Sequence, residues 1–316
     1  MAVYTEVPFE ELRRFLAHYD LGQATSFKGI AEGVENSNYF LKTERGAYIL
    51  TLYEKRVREA DLPFFLGLME HLAAKAIPCP LPMRRKDGGL FAALCGRPAA
   101  LLTFLNGVSL REPEPVHCAA AAAALAAIHD AGADFVPRRP NALGFDAWRD
   151  LAARIGSRAD EVEAGLARLI DQGLEQSKPP ELPSGLIHAD LFPDNVLFTG
   201  RRISGVIDFY FACTDAFAYD LAVLLNAWCF DSRGRFDAER GKGMIAGYRG
   251  RRELSKPEID ALPVLARGAA LRFLLTRLHD LLHHDARALV RPKDPREFAN
   301  RLRFHLGVRD ASEYGL

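Results

Sequence analysis

Gly185-Leu-Ile-His188-Ala-Asp190-Leu-Phe-Pro-Asp-Asn195, with Ile203-Ser-Gly-Val-Ile-Asp208-Phe-Tyr-Phe-Ala212 close behind it, is the stretch that decides how this chain is read. Asp208 stands thirteen residues after Asn195. His188, Asp190, Asn195 and Asp208 therefore fall in the order and spacing used for phosphoryl transfer, where catalysis is mostly positioning and charge neutralisation. Such chemistry needs a carboxylate to orient and deprotonate the attacking hydroxyl, the role open to Asp190. It also needs hard oxygen donors for Mg²⁺, which takes only one or two carboxylates from protein; Asn195 and Asp208 offer one amide and one carboxylate. His188 is expected to fix the loop by hydrogen bonding, with no part in proton transfer. Taken singly, Asp190 and Asp208 also suit turns and caps. The apolar run Ile203–Ile207 reads as a strand, which would bring Asp208 out at a strand end facing a cleft.

Working outward, a chain of 316 residues is too long for one small core and calls for two packed lobes. Its 41 basic and 41 acidic residues cancel, so nothing argues for a nucleic-acid or membrane surface. The five cysteines (Cys79, Cys95, Cys118, Cys213, Cys229) are odd in number, scattered, and without zinc spacing, which fits reduced thiols in a cytoplasm. The N-terminus lacks the pattern of a signal peptide. The apolar run Ala119–Ile128 is too short to span a bilayer and reads as a buried helix.

Residues 1–105 read as sheet-rich. A helix is expected over Pro8–His18, strands over Thr25–Ile30, Asn38–Thr43 and Ala47–Tyr53, a helix over Leu62–Ala74, then strands over Leu90–Leu94 and Ala99–Leu105. Three prolines in Pro78–Pro82 forbid a helix there. Residues 106–316 read as mainly helical, with helices over Val116–Asp130, Arg149–Arg154, Arg158–Glu175, Leu221–Trp228, Arg240–Arg249 and Val264–His284. The likeliest boundary lies within Thr103–Gly107.

The loop His188–Asn195 with Ile207-Asp208-Phe209 resembles the aminoglycoside phosphotransferase family, relatives of the protein kinases. Within it, Ser26–Phe40, Tyr48–Glu54, Ile207–Ala212 and Leu225–Cys229 resemble the bacterial homoserine kinases built on this fold. The resemblance covers nearly the whole chain. It implies an α+β, protein kinase-like fold with a small antiparallel-sheet N-lobe that binds nucleotide and a larger, mainly helical C-lobe that carries catalysis and substrate. It implies ATP and Mg²⁺, and L-homoserine as acceptor on the route to threonine. Kinases of another small alcohol (choline, a sugar or an aminoglycoside) and a nucleotide-binding pseudokinase are the alternatives. The resemblance also implies that the turn Gly33-Val-Glu-Asn-Ser37-Asn38 covers the phosphates. It places adenine against Leu102–Leu105, with backbone contacts at Thr103 and Leu105. Gly suits close backbone approach, while Ser37 and Asn38 add donors.

One departure stands out. A related kinase carries Lys or Arg on the third strand paired with a helix Glu; here those positions are Thr51 and Phe65. Losing both halves together is consistent, since a lone buried charge is costly. Lys42, Lys55 and Arg56 are the nearest cations in sequence. For the acceptor, the helix carrying Arg267, Arg272 and Arg277 is apolar on most sides, so at least one arginine must be paired inside protein. Arg272 could hold a carboxylate, and Tyr210, Asp215 and Asp220 are candidates for the ammonium or hydroxyl. Asp220 could instead cap the helix that follows it. His129 reads as a hydrogen-bonded helix-end residue, not a catalytic one.

Overall fold

A computed structural model describes residues 4–30, 36–54, 57–284 and 292–316. These fall into two compact units. The first holds the residues up to Asn106 together with Gly205–Tyr210; the second holds Gly107–Ser204 and the described residues from Phe211 onward. The short segment that carries Asp208 thus groups with the first unit, although it follows a hundred residues of the second.

The first unit is an antiparallel sheet in the order β1-β2-β3-β5-β4, built from β1 (Ala24–Gly29), β2 (Ser37–Thr43), β3 (Gly46–Leu52), β4 (Ala92–Leu94) and β5 (Arg97–Thr103). Alternation sorts its faces. Tyr39 and Leu41 of β2, and Tyr48, Leu50 and Leu52 of β3, pack with Leu12, Phe15 and Leu16 of the amphipathic helix α1 (Phe9–Leu16). Thr51, of opposite parity on β3, pairs in register with Asn38 and Ala100. Helix α2 (Leu62–Ala74) has Pro63 in its first turn and buries Phe65, Leu66, Leu68, Met69 and Leu72.

The second unit is mainly helical: α3 (Pro115–Ala131), α4 (Phe145–Ile155), α5 (Leu166–Glu175), α6 (Phe217–Trp228), α7 (Ala238–Arg249), α8 (Lys256–Leu282) and α9 (Arg296–Gly307). The alanine run of α3 is the close-packing surface for α7: a side-chain carbon at Gly243 or Gly247 would collide with the Pro115 or Ala119 carbonyl. Two small ladders complete the chain, β6 (Ser184–Ile187) with β9 (Cys213–Ala216), and β7 (Val196–Thr199) with β8 (Arg202–Val206).

The mixed α+β architecture is the one the sequence predicts, with local differences. The helix expected from Val264 begins at Lys256, because Ser255 and Glu258 form a capping box and buried Pro263 sits inside the helix without ending it. The helix expected over Arg158–Glu175 is reduced to α5, since Gly165 turns left-handed at φ 82° just before it. Helix α9 and the strands β6 and β9 go beyond the sequence-based expectation. Among the described residues, no helix is long and apolar enough to cross a membrane.

Candidate active site

The catalytic-loop candidates lie directly after β6. Ala189 is held at φ +63°, in the left-handed region that residues with a side chain rarely adopt. Asp220 of α6, fully buried, holds this bend: its carboxylate accepts the His188 N–H at 2.7 Å and the Ala189 N–H at 2.8 Å. Arg272 of α8 holds the next peptide, donating to the Ala189 carbonyl. Its second nitrogen lies 4.0 Å from an Asp190 carboxylate oxygen. His188, also buried, accepts the Asp190 N–H on Nδ1 at 3.3 Å. Asn195 donates its amide nitrogen to the Asp190 carbonyl at 2.8 Å and to Asp190 Oδ2 at 3.3 Å. That directs Asn195 Oδ1 away from the loop, as the atom available to a hard cation.

Behind Asp220 runs a buried relay. His129 Nε2 donates to Asp220 Oδ2 at 3.0 Å, and Nδ1 faces the Tyr248 hydroxyl at 2.8 Å. Arg252 donates to Tyr248 and to Glu258, whose other oxygen takes the Ser255 amide and hydroxyl. The direction of every bond follows from the ends. An ionised Asp220 needs a proton on His129 Nε2, so Tyr248 donates to Nδ1 and is free to accept from Arg252. Burial alone would raise the Asp220 pKa, but the hydrogen bonds from His129 and from the His188 amide outweigh it and hold the carboxyl below its ordinary range. Burial likewise opposes the Arg272 charge, yet Tyr219 and Asp190 beside it keep the guanidinium more basic than usual.

In the first unit, Asp208 also has a left-handed backbone, φ +64°. Two residues on, Tyr210 is packed edge-on against Tyr53 and Phe65, and its hydroxyl meets that of Tyr53 at 3.0 Å. Thr51 is buried and donates to Asn38 Oδ1 at 2.8 Å, leaving the Asn38 amide hydrogens for other partners. Ser37 is fully buried: it donates to Glu54 and accepts the Tyr4 and Thr5 amides, so its hydroxyl is committed to the lobe. Glu54 is paired in turn with Arg97 at 3.1 Å. Thr103 exchanges hydrogen bonds with Leu81, while Leu105 is half-buried and its N–H has no partner among the described residues. Gly33, Lys55 and Arg56 lie outside the described residues; Lys42 is exposed.

Of the acceptor-side candidates, Arg272 is the arginine turned inward, and its charge serves the loop. Tyr210 is committed to Tyr53 and Phe65. Asp220 anchors the loop and lends no side-chain oxygen to a helix cap. His129 is buried and hydrogen-bonded, as its position in the sequence predicts. Asp215 of β9 is half-buried, with Asn141 donating to it at 2.7 Å. The anchoring role of Asp220 had one sequence signal, a lone charge in the otherwise uncharged segment Phe217–Trp228. Tyr248, Arg252 and Glu258 had none, because only tertiary packing joins them.

A phosphotransfer loop on a kinase-like fold defines the class, and a sequence profile described as the phosphotransferase enzyme family matches residues 26–254. The chain belongs to that family. A protein named homoserine kinase from Chelativorans sp. (strain BNC1) is 58% identical over 319 residues, covering 100% of this chain and 99% of that one. The protein of the same name from Rhizobium meliloti (strain 1021) is 55% identical, covering 100% and 98%. Among solved structures, spectinomycin phosphotransferase in complex with ADP and spectinomycin aligns with a TM-score of 0.73 at 16% identity, over 96% of this chain and 99% of that one. A microcompartment-associated aminopropanol kinase aligns at 0.61 and 20%, over 95% of each. At these identities the structures speak for the fold.

Proposed function

We infer that the chain transfers the γ-phosphoryl group of ATP to the side-chain hydroxyl of L-homoserine, giving O-phospho-L-homoserine and ADP on the route to threonine, in the cytoplasm. The observation that carries this reading is full-length identity of 55–58% to proteins named homoserine kinase, joined to a loop in which Ala189, next to Asp190, is held through both its N–H and its carbonyl. Choline, sugars and aminoglycosides are not favoured, since the neighbours that act on such compounds share only the fold. A pseudokinase has no use for so firmly anchored a loop next to that carboxylate.

In the proposed mechanism Asp190 orients the homoserine hydroxyl and takes its proton as the oxygen attacks the γ-phosphorus, and the bond to the β–γ bridging oxygen breaks to release ADP. Arg272, 4.0 Å from an Asp190 oxygen and bonded to the Ala189 carbonyl, keeps the loop that carries the base in place. Asn195 and Asp208 would hold Mg²⁺: the donor set is an amide oxygen and a carboxylate, the hard donors this ion prefers, and the Asn195 nitrogen is already turned inward. Bound there, the ion neutralises charge on the phosphates. The Asn38 amide and the backbone of the Gly33–Asn38 turn would face the phosphates, and the backbone of Thr103 and Leu105 the adenine.

The test is ATP turnover across homoserine, choline, an amino sugar and an aminoglycoside. Homoserine should be the preferred acceptor. Asp190→Asn should lower kcat by about 10³-fold while nucleotide binding stays within about twofold; loss of ATP affinity instead would overturn the base assignment.

A further inference from the structure

We propose that Arg252, in the turn between α7 and α8, is a remote positioning residue for the catalytic base, acting on the loop that carries Asp190 through the Tyr248 hydroxyl and through the Phe217 ring. This rests on the reading of Asp190 as the base and goes beyond it by giving a rate-setting role to residues outside the loop.

The carrying observation is that one guanidinium reaches two supports of the loop. Arg252 Nη1 lies 2.9 Å from Glu258 Oε1 and 3.4 Å from the Tyr248 hydroxyl, and it also donates to the Glu253 carbonyl at 3.4 Å. The guanidinium carbon stands 4.5 Å from the centre of the Phe217 ring. Glu258 is buried, and its other oxygen accepts the Ser255 amide at 3.0 Å and the Ser255 hydroxyl at 2.8 Å. The carboxylate that aims Arg252 is therefore itself fixed at the start of α8. Bonding within a plane while lying over an aromatic face suits a guanidinium and not the compact ammonium of lysine.

The first support is polar. From Tyr248 the hydrogen bonds run to His129 Nδ1 at 2.8 Å, from His129 Nε2 to Asp220 Oδ2 at 3.0 Å, and from Asp220 to the N–H groups of His188 and Ala189. Tyr248, His129 and Asp220 are all buried, so a lost link leaves a polar group unsatisfied. Among the described residues, His129 is the one side-chain donor to Asp220, and it ties that carboxylate to α3; the other two donors belong to the loop itself. Burial pushes the Tyr248 phenol up, which keeps its proton available to His129 Nδ1. Ala189 is held at φ +63°, a conformation that persists only while its surroundings impose it. Slack in the chain of bonds thus reaches Ala189, and Asp190 is the next residue.

The second support is apolar. Phe217 opens α6, and its ring lies 4.8 Å from the His129 ring. The same ring covers Gly185, where a side-chain carbon would collide with it. Gly185 belongs to β6, the strand that runs straight into His188. Arg252 accordingly backs both the aromatic that seats the strand and the hydroxyl that orients the histidine.

The test measures kcat, the KM values for ATP and homoserine, the unfolding midpoint, and hydrogen exchange of the His188 and Ala189 amides. Arg252→Lys keeps a charge for Glu258 but loses the planar fork; Tyr248→Phe keeps the ring and loses the hydroxyl. Each should lower kcat about tenfold with both KM values within about twofold, and should speed exchange at the two amides about tenfold relative to other buried amides of the unit. The double variant should lose about 10- to 30-fold, short of the roughly 100-fold of independent effects. His129→Gln, which can still donate to Asp220, should stay within about fivefold of wild type, whereas His129→Leu should lose about 100-fold in kcat. Tyr314→Phe is the control: it removes a buried hydroxyl bonded to His305 in the same unit, and should lower the midpoint with kcat unchanged. Lower midpoints with wild-type kcat and wild-type exchange at the two amides would overturn the proposal. So would exchange that quickens uniformly through the unit, a full 100-fold loss in the double variant, or equal kcat losses in Tyr314→Phe and Tyr248→Phe. Wild-type protein that ignores homoserine would instead overturn the functional reading, and Arg252 would then be judged by the same ratios on whichever alcohol turns over and by the two amides.

Discussion

Replacing Asp220 by Asn tests how the loop is held, because the substitution keeps shape and removes charge. The carboxylate accepts three hydrogen bonds, from the His188 N–H, the Ala189 N–H and His129. An amide oxygen at the Oδ2 position can retain the first and third. The amide nitrogen then points at the Ala189 N–H, donor against donor. Two charge-assisted bonds become neutral, a loss of about 1 kcal/mol each, and one buried N–H is left unsatisfied at about 1–3 kcal/mol. The sum is roughly 3–5 kcal/mol, a large part of the 5–15 kcal/mol typical of a whole domain. Ala189 is the residue held at φ +63°, so its release lets the backbone relax and moves Asp190. Displacement of a catalytic group by about 1 Å costs on the order of 100-fold. Urea unfolding should show a lower midpoint at unchanged slope, and kcat measured on folded protein should fall about 100-fold with the KM for ATP within about twofold. A destabilised variant with normal kcat would show that Asp220 supports the fold without positioning Asp190. Unchanged stability would refute the hydrogen-bond accounting itself.

Two titrations bear on the same unit. Asp220 is held below its ordinary value of 3.8, so its stabilisation is complete above that pH and is lost as pH falls through the lower folded value; Asp220→Asn should flatten the acid limb of stability there. His305 is buried, its ring between Tyr314 and Asn226, and burial with Arg301 and Arg267 nearby pulls its pKa down from 6.5 to about 3. The unfolded chain binds that proton first, so stability should decline as pH drops from 6.5 towards 3; unfolding midpoints of wild type and His305→Gln at pH 7 and pH 5 should diverge, and parallel midpoints would contradict the assignment. Thr51→Lys should lower stability by roughly 2–4 kcal/mol, because it places a cation at a buried position where Thr51 now makes a neutral hydrogen bond to Asn38. A thermal midpoint within about 1 °C of wild type would show that the side chain escapes to solvent.

How far the chain can be read unaided depends on the range of the interaction concerned. The loop His188–Asn195 and Asp208 are legible because metal and proton chemistry restrict residue types at fixed short spacings. Strands β2 and β3 are legible because one residue in two faces the core. Pro263 misleads: the proline is buried inside a 27-residue helix, where tertiary packing overrides what local propensity expresses. Ser37 misleads in the opposite sense. A Ser beside a Gly-containing turn suggests a phosphate donor, yet its hydroxyl is claimed by Glu54 and by the amides of residues more than thirty positions earlier. The relay from Glu258 through Arg252, Tyr248 and His129 to Asp220 joins four helices and a loop, and no periodicity in the sequence encodes it.

The missing strand-three lysine acquires a physical context in the first unit. A buried ammonium requires a carboxylate, and a buried carboxylate requires a cation, so the pair can be kept or lost but not halved. Here both positions carry neutral groups with partners of their own: Thr51 bonds Asn38, and Phe65 packs against Tyr210. The same sheet does hold a buried carboxylate, Glu54, and that one has its cation, Arg97, from the first residue of β5. Glu54 also takes the Ser37 hydroxyl, so this ion pair braces the start of β2, the strand that leads out of the Gly33–Asn38 turn. Glu54 and Arg97 are thus committed to the start of β2. On the proposed reading, donors for phosphate then come from main-chain amides and the Asn38 side chain, and nucleotide affinity should depend more on the shape of this turn than on any single cation.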